Sequence, residues 1–265
     1  MKYKIIDTHA HIFPDKIASI ASAKIGAFYT LPMLHSGSVA ELLALCAENN
    51  IEKTIVSSCA TKVEQVSSIN KFICASAQNP KLVGLIALHP DLSTAELDRQ
   101  IAYALDNNLK GVKLHPDFQQ FNIDSKKAQS LYAALEGVLP ILFHVGDEQR
   151  DYSHPRRLIK VLKRYPKLQA IAAHLGGYTK WDEAACYAEV RNCYYDCSSA
   201  LCFMDRDKGA KLIEFLGVDK VMFGSDYPMS NAAKEIEILL SLGLDNVSLE
   251  KIFYTNANRF YGGLL

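Results

Sequence analysis

The chain has 265 residues, with 29 lysines and arginines against 29 aspartates and glutamates, so its formal net charge is zero. Apolar residues make up 49% and charged residues 22%, which excludes a mainly disordered chain. The absence of a basic excess excludes a phosphate-binding surface for nucleic acid.

The first predicted strand covers residues 3–9 and runs straight into Asp7, His9 and His11. No apolar run with a small-residue cleavage site precedes it, so no signal peptide is expected. No stretch approaches the roughly 20 apolar residues of a membrane span. The long segment 13–38, with Gly26, Pro32 and Gly37, reads as a loop insertion or lid. Further short apolar runs at 54–59, 82–88, 111–115, 141–145, 170–174, 194–197 and 221–224 read as strands buried on both faces. Between them, helical periodicity marks 39–50, 93–108, 125–136, 155–165, 182–190, 207–216, 231–242 and 248–259. Ser93 with Glu96 three residues on is a candidate capping box.

Eight strands alternating with helices predict an α/β fold, a single (β/α)8 TIM barrel spanning 1–265 as one domain. No G-x-G-x-x-G follows a strand, so a dinucleotide site is not expected. Seven cysteines scattered through apolar runs read as reduced thiols in a cytoplasmic protein. Cys193, Cys197 and Cys202 lack the paired C-x-x-C spacing of structural zinc.

The polar residues fall where a barrel would use them. His9 and His11 alternate onto one face of strand one; His144 ends strand five, His174 strand six, and Asp226 follows strand eight. Barrel strands converge with their C-terminal ends at one mouth. Two imidazoles from one strand, a third from strand five and a carboxylate suit Zn²⁺, Fe²⁺, Co²⁺ or Mn²⁺. Such an ion acidifies its water and polarises a carbonyl. A neighbouring carboxylate then shuttles the proton, and a further histidine steadies an oxyanion. Taken singly, a histidine at a strand end is more often a hydrogen-bonded core or turn residue than a ligand, and Asp226 alone could be a helix cap; their common placement is what points to a site. In the polar loop 146–157, Arg150 and Arg156 are candidate anchors for a substrate carboxylate. Phe13, Tyr178 and Trp181 are candidate pocket walls, and Asp7 reads as a supporting or core carboxylate.

With these residues in view, the chain resembles the amidohydrolase superfamily, in the branch that holds aminocarboxymuconate-semialdehyde and resorcylate-type decarboxylases and pyrone-dicarboxylate lactonases. The resemblance rests on the segments IDTHAH (6–11), GVKLHP (111–116), FHVG (143–146), AHLGG (173–177) and FGSDYP (223–228), with a closing helix at 252–260. It implies His9, His11, His144 and Asp226 as metal ligands, and His174 as the residue that positions the metal's water. It also offers Lys113 as a carboxylated bridge between two metals. Lys113 is instead read as a barrel-interior lysine reaching toward substrate, because Leu114-His115-Pro116 follows it; His115 joins it as a candidate substrate contact. The expected cofactor is one divalent metal, zinc first, with Fe²⁺ or Mn²⁺ as alternatives. The expected partner is a small molecule, with neither nucleic acid nor membrane, and self-association into a homo-oligomer stays open. The expected activity is hydrolysis of a lactone, ester or amide by a metal-activated water. The alternative is nonoxidative decarboxylation of an aromatic or enoic carboxylate on the same residues; a non-catalytic metal-binding barrel comes last.

Overall fold

Residues 3–264 are described by the computed structural model; residues 1, 2 and 265 of the expected single domain lie outside them. The strands are β1 (Ile5–His11), β2 (Ile51–Ser57), β3 (Leu82–Gly84), β4 (Ile86–Ala87), β5 (Val112–Leu114), β6 (Ile141–Phe143), β7 (Ala170–Ala172), β8 (Cys193–Asp196) and β9 (Val221–Met222). Eight runs were expected. The count is nine because the run at 82–88 is two short strands, with the boundary between two compact units falling inside it. The first unit comprises Met1–Ser57, Ser76–Val83 and Asp196–Leu265, the second Ser58–Ala75 and Gly84–Tyr195.

In the first unit, β1 and β2 are parallel. Asp7 faces Thr54, yet Ala10 faces Val56, so β1 carries one extra residue at Thr8–His9. Such a bulge bends a strand and re-aims the side chains at its end. On its other side, β1 takes Phe223 O on Thr8 N (2.9 Å), gives His9 O to Asp226 N (2.8 Å) and takes Tyr227 O on His11 N (2.6 Å). The segment after β9 is thereby fastened to the histidine-bearing end of β1.

In the second unit, β4 to β8 run parallel in sequence order. Ile86, Val112, Ile141, Ala170 and Cys193 pair successively at one level. Leu114, Phe143 and Ala172 pair at the next but one, so the residues that follow these strands leave the sheet at one edge. All eight runs are buried over most of their length, as parallel strands covered on both faces must be.

The helices follow the predicted periodicity with trimmed ends. Ser38 caps Val39–Glu48 and Ser93 caps Thr94–Asp106, accepting from Glu41 N and Glu96 N. The stretch 182–190 is wound as the 3₁₀ segment Trp181–Glu189, and the C-terminal helix passes through a π turn at Lys251–Thr255. Two long helices, Ala18–Tyr29 and Val66–Ser76, and the single turn Pro116–Gln119 lie where none was predicted. The first buries only Ala18, Ser22 and Gly26, a small-residue face with almost no hydropathic signal. The second buries Asn70, whose side chain bonds Ala87 N (2.8 Å), Ala87 O (3.0 Å) and Gln100 Oε1 (2.8 Å), so its inner face is half polar. Among the described residues, no helix is long and apolar enough to cross a membrane.

Candidate metal centre

The first unit brings His9, His11 and Asp226 together. The two Nε2 atoms are 3.1 Å apart, and Asp226 Oδ1 lies 3.6 Å from His9 Nε2 and 3.4 Å from His11 Nε2. Ligand atoms about 2.1 Å from one ion sit roughly 3.0–3.4 Å from each other at 90–109°. Two edges of the triangle fall in that range and the third, His9 to Asp226 at 3.6 Å, lies just beyond it, so the three atoms surround a space of one ion's size; the burial of His9 (0%) and Asp226 (6%) keeps competing water away.

The tautomer of His9 follows from its other nitrogen. Nδ1 lies 3.1 Å from Asp196 Oδ2 and 2.9 Å from Ser198 Oγ, while Ser198 itself donates to Asp196 through Oγ and through N (3.1 Å). With its hydroxyl proton committed, Ser198 accepts, so His9 donates from Nδ1 and turns the Nε2 lone pair to the centre. A carboxylate behind a ligating histidine fixes the ring and raises its basicity. Space for this group comes from Gly224: a Cβ there would lie 3.0 Å from His9 Cβ and 3.1 Å from Ser198 Cβ. Asp7 supports from below, accepting from His9 N (3.1 Å), Ser225 N (2.9 Å) and Ser225 Oγ (2.6 Å). Burial outweighs these bonds and pushes its carboxyl up to about 6.

Asp226 sits in the left-handed region (φ 60°), which a residue with a Cβ occupies only when its surroundings impose it. Here Asp226 N to His9 O and Met229 N to Asp226 O (both 2.8 Å) impose it. Nearby, Glu235 is 1% exposed; Oε1 accepts from Ser230 Oγ (2.6 Å) and Oε2 has no hydrogen-bond partner. Burial, aided by the Asp226 charge and opposed by Ser230, pushes Glu235 up from 4.5 to about 7. The folded state therefore holds this proton more tightly than the unfolded chain. Its contribution to stability is complete below pH 4.5 and is lost as pH rises through 7, by roughly 3 kcal/mol at about 1.4 kcal/mol per pH unit. Glu235→Gln is expected to melt higher than wild type at pH 8 and level with it at pH 4.5. Equal melting temperatures at both values would contradict the protonated buried carboxyl.

The second unit gathers His115, His144 and His174 beyond β5, β6 and β7, one or two residues past the strand ends where they were expected. His115 caps the short helix Pro116–Gln119. Its ring is stacked between Phe118 (3.6 Å, 2°) and His144 (4.0 Å, 6°). Nitrogen lone pairs lie in the ring plane, so two parallel stacked imidazoles cannot both point at one ion. His115, Asp117 and His144, although close, are on this ground not a metal site. His144 Nδ1 is 3.0 Å from His174 Nε2, and His144 Nε2 is 2.8 Å from Gly146 O. His174 and Leu175 both have positive φ (59° and 52°) ahead of Gly176. Trp181 Nε1 donates to His174 O (2.9 Å) and Tyr187 OH to Gly176 O (2.6 Å), holding that turn. Tyr178 lies across His174 (6.0 Å) and Trp181 (6.2 Å), forming an aromatic wall.

Of the other predicted contacts, Lys113 is buried at 1% within β5. Arg150 lies on the loop after β6, its Nη1 3.5 Å from Asp147 Oδ2, and Asp147 also takes Gln149 N and Arg150 N. Arg156 turns its guanidinium to Glu183 (2.6 Å) and is 67% exposed on its helix. The same loop pivots on Gly146 (φ 87°), whose N donates to Ser153 O (2.9 Å); a Cβ there would stand 2.3 Å from Tyr178 O. Sequence reasoning missed Asp196 and Asp117. Asp196 was within reach, a carboxylate at the end of a predicted strand. Asp117 is 2% exposed, and burial, opposed by Ser153 and aided by the Asp147 charge, pushes it up to about 6. Nothing in its sequence neighbourhood marks it.

The amidohydrolase family model matches residues 6–263, so the chain belongs to the amidohydrolase family and is an enzyme of that class. No curated protein matches it. Among solved structures, it is similar to an uncharacterised TIM-barrel protein from Bordetella bronchiseptica (TM-score 0.81, 20% identity, covering 98% of this chain and 99% of that one). It is also similar to 2,6-dihydroxybenzoate decarboxylase from Rhizobium (TM-score 0.73, 17% identity, 98% and 99% covered). A third is 5-carboxyvanillate decarboxylase from Novosphingobium aromaticivorans, solved with manganese and 4-hydroxy-3-methoxy-5-nitrobenzoic acid (TM-score 0.75, 16% identity, 98% and 96% covered). These likenesses give the fold, the (β/α)8 TIM-barrel class expected from the strand–helix alternation.

Proposed function

We propose that the protein is a divalent-metal-dependent, nonoxidative decarboxylase of an aromatic or enoic carboxylate. The observation that carries the metal is the His9–His11–Asp226 triangle, sized for one ion and backed by Asp196. The choice of decarboxylation over the hydrolysis expected first rests on the company the fold keeps: two of the similar structures are decarboxylases of aromatic acids. The aromatic wall of Tyr178 and Trp181 suits a ring, and Arg150 is the proposed carboxylate anchor. Hydrolysis of a lactone, ester or amide is the second reading, favoured by the family match itself.

His9, His11 and Asp226 would hold the ion. Bound there, a divalent ion supplies a positive field that polarises substrate oxygen. Two imidazoles and a carboxylate suit manganese as well as zinc. Asp226 faces the histidines through Oδ1; Oδ2 is the atom to which we assign proton transfer. A proton taken up at Oδ2 from solvent goes to the carbon bearing the carboxylate, that carbon's bond to the carboxylate breaks, the electron pair returns to the conjugated system as carbon dioxide leaves, and Asp226 is again the carboxylate. His174 keeps its motif-based role of steadying developing negative charge. The partner is a small molecule, and the cytoplasm is the proposed location.

The test is elemental analysis of untagged protein, followed by hydroxybenzoates and lactones assayed in parallel for carbon dioxide release and ring opening. About one ion per chain and carbon dioxide from a hydroxybenzoate are expected. Lactone or amide cleavage without carbon dioxide would reverse the order of the two readings.

A further inference from the structure

Within the first unit, a half-buried network outside the metal triangle ends on the segment that carries Asp226. Glu41 is the third residue of the helix Val39–Glu48, capped by Ser38. In a capping box its side chain would return to Ser38 N. It does not: Ser38 N goes to Ser36 Oγ (3.3 Å), and Glu41 reaches beyond the helix. Oε2 accepts from Ser36 N (2.8 Å) and from the Ser36 hydroxyl, while Oε1 meets His35 Nδ1 (2.9 Å). Burial raises the Glu41 carboxyl, but these donors outweigh it and hold it below its ordinary range, as a working anion.

The strap so fixed lies on Tyr227 and Pro228. The His35 ring is stacked on the Tyr227 ring (5.5 Å, 28°), and His35 N donates to Pro228 O (3.2 Å). The Tyr227 hydroxyl donates to Ser38 O (2.8 Å), with Glu41 Oε2 at 3.3 Å. Tyr227 is in turn the residue between two proposed ligands. It follows Asp226 in the chain, and its carbonyl receives His11 N (2.6 Å). A displacement of Tyr227 therefore moves the carboxylate and one imidazole of the triangle together.

We infer that Glu41 and His35 are positioning residues of the metal centre: through Tyr227 they set the separation of His11 and Asp226. The inference rests on the metal reading above. Outer-shell partners of metal ligands typically contribute 10–100-fold in affinity, and Glu41 acts on two ligands at once.

The test titrates metal-free protein with Co²⁺, following the visible absorption band and its intensity, for wild type, Glu41→Ala, Glu41→Gln, His35→Ala and Tyr227→Phe. Thermal melting of each metal-free protein accompanies the titrations. Glu41→Ala is expected to bind Co²⁺ about 10–100-fold more weakly, with a changed band, while still melting cooperatively. Glu41→Gln keeps a carbonyl acceptor and is expected to fall between wild type and alanine; it carries the test if the alanine variant does not fold. Tyr227→Phe keeps the ring stack and is expected to show the smallest change. Wild-type affinity and band shape in both Glu41→Gln and His35→Ala would overturn the inference and leave the metal reading standing. Failure of the wild type itself to bind Co²⁺ would remove the metal reading, and this inference with it.

Discussion

His11→Ala is expected to lower metal affinity by more than 100-fold and to take turnover down with it, because a ligand is lost outright where supporting residues alone are worth 10–100-fold. The direction follows from the triangle. His11 Nε2 is 3.1 Å from His9 Nε2 and 3.4 Å from Asp226 Oδ1, so its removal leaves two donors on one side of the ion. Fold stability is expected to change little. The His11 side chain is 14% exposed at the end of β1, and its backbone bond to Tyr227 O survives the substitution. The check is metal content and kcat on the same preparation, with a melting curve as control. Full metal occupancy in the variant would show that the ion sits elsewhere.

Asp226→Asn separates holding the ion from moving the proton. The amide keeps an oxygen to face the histidines, and asparagine tolerates the left-handed backbone better than most residues. Ligation is therefore weakened only in part. The amide cannot deliver a proton in the pH range of the reaction, and positioned acid–base groups contribute about 10²–10⁴-fold. Turnover is expected to fall by about 10³ with metal content near wild type. Retained turnover would assign the proton to another group, with His174 next in line.

Much of this site was readable in advance because strand ends are a short list. His9-x-His11 follows from the period of two, and the two Nε2 atoms do meet, although the bulge between Asp7 and Ala10 takes in His9 itself. Asp226 was marked by its place after a short apolar run. The supporting residues were less legible. Asp196 meets His9 only through folding, 187 positions apart in the chain. Glu41 read as the third residue of an ordinary helix, and its turn away from the capping box toward Ser36 and Tyr227 depends on a strap that the sequence presented as a plain loop. The helix Ala18–Tyr29 escaped because its buried face is alanine, serine and glycine, which periodicity of hydrophobic residues cannot register. Hydrolysis and decarboxylation could not be ordered from the motifs, because the same residues serve both reactions. What distinguishes the reactions is the shape of loops, and their folding is not written in a motif.

The pivot at Gly146 bears on how this enzyme can diverge. Its hydrogen bond to Ser153 closes a loop over the intervening residues, and the backbone of Tyr178 leaves no room for a Cβ at the pivot. Inside that loop, buried Asp147 and the Tyr152 carbonyl, which receives Ile123 N (3.0 Å), are tied down, and the side chains of Glu148, Gln149 and Arg150 are the ones at liberty to change. A lineage exploring new substrates would therefore show a fixed glycine and a fixed aspartate beside a variable tripeptide, and 148–150 is where a laboratory library would vary the loop without unfastening it.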